Sequence, residues 1–399
     1  MTEVRDHQVV VIGGGNGGIS VAARLRRRGV DDIAVIEPRD RHVYQPLLSH
    51  VAGGVARLSE TVRDQADVIP PGVTWIHDAV TAIDPESSTV QLGDGGRVRY
   101  GQLIVSPGIH HEWDAVPGAR EARASGRVAS HYDPAGAAAL SPMLRDLRSG
   151  TVVFTQPDEP SSCPGAAQKP MYLACDYWRA HGVRDGIRVL FVTAKDSPSG
   201  MAHIDAELSR VIERYGIEVR YGSRVRAVDS TAGTLEIEGP HGSETVAFDV
   251  ADIVPPQSAP PWLRNTGLAA HDDPGGFVEV DPRTLRHARY ANVWSLGDAA
   301  GTRNAKSGGA LRKQTYVVAE NVAAAVRGEA PAQEYDGYTV CPYTVSRRSV
   351  VWAEFDEAGR PKPTIPFWRG MYRESRLSWV FDRHILPWVY WNLILTGRV

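Results

Sequence analysis

Apolar positions along the chain switch between short continuous runs and helical periods. Near the start, RDHQVVVIGGGNGGISVAARLRRRG carries an apolar run from Val9 to Ile12 that breaks into glycines and resumes at helical spacing until Gly29. This predicts strand, tight turn, helix. A second strand, IAVIE, ends in Glu37. Further on, YLACDYWRAHG has the period of a helix, IRVLFVT reads as a buried strand, HIDAELSRVIERYG as an amphipathic helix, and IEVRYGSRVRAVD as paired strands. Strands alternating with helices predict an α/β fold with two doubly wound, Rossmann-like units. The expected first unit covers 1–110 and resumes over 251–335 after the rigid PPQSAPP loop, and the second covers 111–250. A helix beginning near Lys306 is expected over ALRKQTYVVAENVAAAVRG.

The last region, 336–399, changes character. It opens with YDGYTVCPYTVSRRSVVWAEFD, alternating enough to predict strands, and ends in FWRGMYRESRLSWVFDRHILPWVYWNLILTGRV. Trp368, Trp379, Trp388 and Trp391 fall here, mixed with Arg, Tyr and branched apolar residues. The final apolar run, Ile385 to Leu395, is too short to cross a bilayer and contains Pro387. Aromatic on one side and arginine-bearing on the other, the segment suits an amphipathic seat in a membrane interface. The alternative is a helix pair packed on the core, or on a second copy in a homo-oligomer.

With 399 residues the chain has room for two or three domains. A formal net charge of -3 supplies no global basic field, so no nucleic acid partner is expected. Three cysteines are too few for a secreted disulfide framework. No charged leader, signal-type apolar segment or cleavage site precedes the first strand, so an intracellular protein without a signal peptide or transmembrane helix is expected.

Gly13, Gly15 and Gly18 keep the G-x-G-x-x-G spacing of a dinucleotide turn. The first permits the turn, the second admits a pyrophosphate, and the third allows close helix–strand packing. Glu37, about 20 residues further on, stands where an acidic side chain accepts ribose hydroxyls. This fingerprint alone does not separate FAD from NAD. RYANVWSLGDAAG, with Gly297 and Asp298, resembles the element that places an aspartate on the ribityl chain of FAD in flavoproteins with two dinucleotide folds. QLIVSPGIHH, with Ser106, Pro107 and Gly108, resembles the segment those proteins set beside the flavin. Three such elements in order favour FAD, although Asp298 alone reads equally well as a turn or cap residue. After GTVVFTQ, where a second glycine fingerprint would hold NADH, the chain reads PDEPSSCPGAAQKPMYL. Proline, serines and Cys163 fill that place, so a reductant other than NADH is expected.

Cys163 in CPGAAQK and Cys341 in YDGYTVCPYT each sit in a motif of their own. Two thiols and a dinucleotide site suggest disulfide redox chemistry on a flavin. Along nearly its whole length the chain resembles the sulfide:quinone oxidoreductases of the type found in mitochondria and some bacteria. The resemblance is carried by YQPLL, CPGAAQK, LGDAA, AKSGG, YTVCP, AEFD and LPWVYWNLIL. It implies Cys163 and Cys341 as the catalytic pair, with Cys341 taking the sulfane sulfur and Cys163 facing the flavin. It further implies Lys306 as the charge that stabilises a reduced flavin, Gln45 and Gln314 as flavin contacts, and Val80 as a backbone contact to adenine. Implied partners are hydrogen sulfide, a membrane quinone, and a small sulfur acceptor such as a thiol, sulfite or more sulfide. The implied location is peripheral, on the cytoplasmic face of the plasma membrane. Where the family has P-Q-K, this chain has Ala167, Gln168 and Lys169.

Other residues carry less. Cys175 matches no catalytic position and is expected as a small buried hydrophobe. Phe355, Phe381 and Trp391 are candidate quinone-pocket residues, with core packing the alternative for each. His110, His111, His131 and His203 lack metal or triad spacing, no metal is expected, and Glu354 and Asp356 are at most proton relays. Rival readings are a type II NADH:quinone reductase-like flavoprotein, which needs the missing fingerprint; a flavocytochrome subunit, which needs an export signal; and a persulfide carrier or redox sensor without turnover.

Overall fold

In the computed structural model, which describes residues 4–367 and 369–399, the first apolar run is the inner half of a longer strand, Val4–Ile12. Its polar outer half is exposed and pairs in parallel with the start of Arg97–Val105, so hydrophobicity alone stopped short of it. Val9–Ile12 is fully buried between Ile33–Ile36 and the end of Arg97–Val105. Thr74–Ile76 joins beyond Ile33–Ile36, and Val293–Ser295 pairs in parallel with Arg97–Val105. Nearly 190 residues of sequence therefore separate two adjacent strands of one sheet, and Val80–Asp84 and Thr89–Leu92 complete it in antiparallel sense. The helices Asn16–Arg27 and Gly308–Val326 pack together on one face, burying Ile19, Leu25, Val318 and Val322 against Val9, Val11 and Trp294.

A second parallel sheet runs in the order Val128–Ala129, Val250–Asp252, Gly150–Gln156, Ile187–Thr193, Glu218–Arg220. Val250–Asp252 lies across the expected limit at 250. Glu218–Arg220 and Arg224–Asp229, expected to pair with each other, do not. The helix Ala202–Tyr215 returns the chain so that Glu218–Arg220 lies parallel beside Ile187–Thr193, as a strand–helix–strand crossover requires. The turn at Gly222, with φ +58, then sends Arg224–Asp229 into a separate antiparallel sheet with Thr234–Gly239 and Gly242–Ala247.

The expected strands of the last region are Thr339–Ser346 and Ser349–Phe355, and they pair as an antiparallel hairpin. Ser349–Phe355 is buried at every position, without alternation, because both of its faces are covered. Val351, Ala353 and Phe355 meet the second domain's core, while Val350 and Trp352 meet Met371, Trp379 and Leu386 of the tail. The tail is one helical run over 376–394, not a pair of helices. It passes through wide turns at Phe381–Ile385 and Tyr390–Ile394. The first wide turn precedes Pro387, which has no N–H to offer and clashes with a regular turn behind it. Trp368 lies outside the described residues. Among the described residues, no helix is long and apolar enough to cross a membrane.

Candidate functional site

The glycine turn joins Val4–Ile12 to the helix Asn16–Arg27. A Cβ on Gly18 would lie 1.8 Å from the Gly13 carbonyl oxygen, so the helix touches the turn as closely as backbone allows. A Cβ on Gly15 or Gly108 would meet nothing within 4 Å. These two backbones border open space at the mouth of the strands, beside the positive end of the helix, as a pyrophosphate cradle needs. Glu37 accepts the Gly14 N–H at 2.8 Å. Arg39, a residue the sequence did not single out, donates to the same carboxylate through Nε at 2.8 Å and Nη2 at 3.0 Å. Burial alone would raise the Glu37 carboxyl, but the Arg39 hydrogen bonds outweigh it and hold the group below its ordinary range. Val80 opens its strand in a buried position. Gln45 is exposed at the start of a short turn, next to buried Tyr44.

Asp298 sits half-buried in the turn after Val293–Ser295. Gln314, buried on the long helix, accepts the Gly297 N–H through Oε1 at 2.8 Å, and its amide nitrogen faces Asn304 Oδ1 at 3.4 Å. Its amide therefore props the turn that presents Asp298. Lys306 precedes its helix by two residues, because Ser307 is the cap and Gly308 the first helical residue. With 4% of its surface exposed, it is no surface lysine. Its Nζ donates to the Ala300 carbonyl at 2.8 Å and lies 4.1 Å over the Phe277 ring. Burial lowers its pKa to about 8, against the pull of Asp298, while burial raises Asp298 against the pull of Lys306.

The same strand end meets the first cysteine. Ser162 and Lys306 form an isolated bridge, the Cys163 N–H donates to the Lys306 carbonyl at 2.5 Å, and the Ser162 N–H donates to Gln257 Oε1 at 2.7 Å. Ser161 Oγ, Gln257 Nε2 and Thr302 Oγ1 are buried around this junction without a hydrogen-bond partner among the described residues. Such orphaned polar atoms beside open glycine backbone fit a polar group that completes their bonding. The residues present thus suit a dinucleotide running from Gly13–Gly15 and Glu37 to Gly108, Asp298 and Lys306.

Cys163 takes a left-handed backbone, φ +40 and ψ 73, and caps the helical run of 164–180. Gly165 makes the approach to the hairpin feasible, since a Cβ there would lie 2.9 Å from the Tyr343 ring. Cys341, on Thr339–Ser346, is thereby brought to 3.9 Å from Cys163, sulfur to sulfur, although the two stand 178 positions apart in the chain. The contact with the Cys341 sulfur lowers the Cys163 pKa, with help from Lys169 against the opposing effect of burial. The Cys163 sulfur and burial push the Cys341 thiol well up. Of the two, Cys163 is the thiolate-forming partner. Cys175 is fully buried, and burial pushes its thiol up to about 12.

Lys169 and Tyr132 stand beside the thiols, and neither has a role in the sequence reading. Lys169, the last residue of CPGAAQK, is 2% exposed. Tyr132 donates its hydroxyl to the Cys163 carbonyl at 3.1 Å. Asp382 of the tail lies buried, accepts from Thr344 Oγ1 at 3.0 Å and stands 3.3 Å from His50 Nε2. Burial would raise the Asp382 carboxyl, but Lys169, His50 and Thr344 hold it at about 2. Motif spacing could have flagged only Lys169, because Asp382, His50 and Tyr132 come from separate elements.

The remaining candidates scatter. Phe355 and Trp391 are core residues, and only Phe381 of the three quinone candidates reaches the surface, edge-on to Trp352. Glu354 accepts from Trp352 Nε1 at 3.1 Å, and Asp356 from Arg360 Nε at 2.8 Å. His110 and His111 pair with Gln257 and Ser258 as a short strand, His131 faces Asp252 at 2.6 Å, and His203 stacks edge-on against Tyr372.

One pH effect follows from Lys306. Between about pH 8 and 10.5 the unfolded chain keeps a proton that the folded chain has lost, so stability without cofactor rises across that window. Lys306→Met should flatten the rise, a difference on the order of 3 kcal/mol at its upper end, in urea melts of the two apoproteins. Equal slopes would place the lysine in water.

Residues 7–152 match the family described as pyridine nucleotide-disulphide oxidoreductase. The chain is 32% identical over 400 residues to the mitochondrial sulfide:quinone oxidoreductase of Mus musculus, covering 99% of this chain and 88% of the mouse protein. To the mitochondrial sulfide:quinone oxidoreductase of Dictyostelium discoideum it is 33% identical over 394 residues, covering 98% of this chain and 86% of that one. The solved structure of the sulfide:quinone oxidoreductase of Aquifex aeolicus superposes with a TM-score of 0.83 at 19% identity, covering 98% of this chain and 92% of the other, which shows a shared fold.

Proposed function

The chain belongs to the sulfide:quinone oxidoreductases, and from that premise we propose that Cys163 and Cys341 are the pair through which it takes two electrons from sulfide. It is an FAD-dependent enzyme that oxidises sulfide and delivers the electrons to a quinone. The observation that carries the reading is the 3.9 Å approach of the two sulfurs at the strand mouth bearing Asp298 and Lys306.

The chemistry of the pair is thiol–disulfide exchange. With the cysteines joined, hydrosulfide attacks the Cys341 sulfur, the S–S bond breaks, and Cys163 leaves as a thiolate while Cys341 carries the persulfide. The depressed Cys163 pKa makes it the better leaving group, and Lys169 with the helix start behind Cys163 stabilises its charge. A thiol, sulfite or second sulfide then takes the outer sulfur from Cys341, leaving two reduced cysteines. FAD, when bound, supplies the acceptor for the electron pair released as the cysteines rejoin, and passes it to the quinone. Gly13, Gly15, Gly18, Glu37 and Val80 support its nucleotide half, and Gln45, Gly108, Asp298, Lys306 and Gln314 its flavin half. Lys306 offers a buried positive charge to a ring that gains negative charge.

For the quinone side, Leu377, Val380, Phe381, Ile385 and Trp388 project from one face of the tail at helical spacing, with Leu377 66% and Trp388 57% exposed. Phe367, 92% exposed, adds to them. A stripe of this kind supports peripheral seating in a membrane interface, with the cytoplasmic face of the plasma membrane as the proposed side. The NADH reading finds no support at Gly150–Gln156, which is followed by Ser161, Ser162 and Cys163 in place of a glycine turn. The test is anaerobic mixing of the flavoprotein with sulfide and then decylubiquinone. Flavin absorbance should bleach without NADH and recover with the quinone. Bleaching by NADH alone, with sulfide inert, would overturn the assignment.

A further inference from the structure

A cleft of about 480 Å³ that neither cysteine lines is walled by the helix Gly308–Val326, by Arg24 of Asn16–Arg27, by Glu334, Tyr335 and Asp336, and by Val399. Its cations are Arg24, Arg312 and Lys313. The two carboxylate side chains that line it are already engaged, Glu334 by Arg283 and Asp336 by Lys313 at 3.1 Å and Lys362 at 2.9 Å. Neither the Arg24 nor the Arg312 guanidinium makes a hydrogen bond or ion pair among the described residues, and Arg24 Nε is buried without a partner. Arg24 is half-buried, and desolvation lowers its pKa against the pull of Glu320, with Arg312 lowering it further. Two guanidiniums that repel each other in one cleft, neither with a carboxylate at ion-pair distance among the described residues, are a costly arrangement. An anion with oxygens for both forks relieves it.

The position of the cleft says which anion. Val399 lines it, three residues beyond Thr396, whose carbonyl accepts from Arg27 Nε at 2.8 Å. A Cβ on Gly397 would lie 2.7 Å from the Arg24 backbone nitrogen, so the end of the tail is seated on the helix that carries Arg24. Tyr316, 41% exposed, stands at the same cleft with the Arg24 guanidinium 5.8 Å over its ring. Aromatic and arginine side chains at the end of an apolar stripe mark the depth of lipid phosphates. We propose that the Arg24–Arg312 cleft binds the phosphate of an anionic lipid headgroup and so fixes the seating of the tail on the membrane. This rests on the interfacial seating argued above.

The test is flotation of the holoenzyme with vesicles of phosphatidylcholine alone, and with about one-fifth phosphatidylglycerol. The protein should bind the anionic vesicles about tenfold more tightly or better, since two arginines meet the charge. Arg24→Gln with Arg312→Gln should abolish that preference and leave binding to phosphatidylcholine, FAD content and reduction of decylubiquinone unchanged. Arg373→Gln with Arg376→Gln, which removes two exposed charges from the tail outside the cleft, should keep most of it. Equal loss in both double variants would mean a diffuse surface field and overturn the cleft. Binding to both vesicles without preference would overturn the cleft and leave the membrane seating intact. Flotation with neither would remove both readings. Inorganic phosphate, titrated without vesicles, is the remaining arm: a melting shift that needs both arginines, without a lipid preference, would assign the cleft to a soluble phosphate instead.

Discussion

Cys163→Ser and Cys341→Ser are each expected to lower the rate of sulfide-dependent flavin reduction by about a thousandfold or more, with FAD still bound. A hydroxyl cannot form the S–S bond that hydrosulfide must break, so either substitution removes the oxidising group and not merely a contact. The two should differ in stability. Cys163 is only partly buried at the start of a helical run, whereas Cys341 is 1% exposed in a strand packed on both sides, and a serine there needs a hydrogen-bond partner. A cost of about 1–2 kcal/mol is expected for Cys341→Ser and less for Cys163→Ser. Cys175→Ser serves as the control, losing stability but keeping the rate, since its thiol is fully buried. Stopped-flow absorbance under anaerobic conditions checks all three. Normal bleaching in both active-pair variants would end the cysteine mechanism.

The second large effect separates two glycines of one motif. Gly18→Ala should cost at least about 3 kcal/mol and leave little FAD bound, because the new Cβ would fall 1.8 Å from the Gly13 oxygen and force helix and turn apart. Gly15→Ala meets no protein atom within 4 Å, so the apoprotein should keep its stability. Its methyl group instead occupies the space a pyrophosphate would use, and FAD affinity should fall by about a hundredfold. Urea melts of the apoproteins and FAD titration distinguish the two failures. Equal apoprotein stabilities would show that the Gly18 approach is slack, and unchanged FAD affinity in Gly15→Ala would move the cradle elsewhere.

Legibility in the sequence followed the range of the interaction. The turn at Gly13–Gly18, the helix after it and the buried strand Ile187–Thr193 are local and were read from spacing and apolar runs. The polar half of Val4–Ile12 was not, since a strand held by backbone pairing alone leaves no hydrophobic trace. The pairing of Glu218–Arg220 with Ile187–Thr193 was not either, because adjacency in sequence suggested a hairpin and a crossover helix decided otherwise. Lys306 was recognised by motif, but its burial and its bond to the Ala300 carbonyl depend on Phe277 and Ala300 folding over it.

Residue order by itself determined the dinucleotide turn, the two alternating strand–helix units, the amphipathic tail and the two local motifs that carry Cys163 and Cys341, because each is written in neighbours within a few turns of chain. Only the tertiary structure decided that Cys163 and Cys341 meet, that their contact and Lys169 draw the Cys163 thiol down, and that Lys169 and Tyr132 stand beside it. A pKa depends on the distance to charges and on exclusion of water, and both are set by residues far apart in sequence, here a helix start, a hairpin strand and the tail packed against one another.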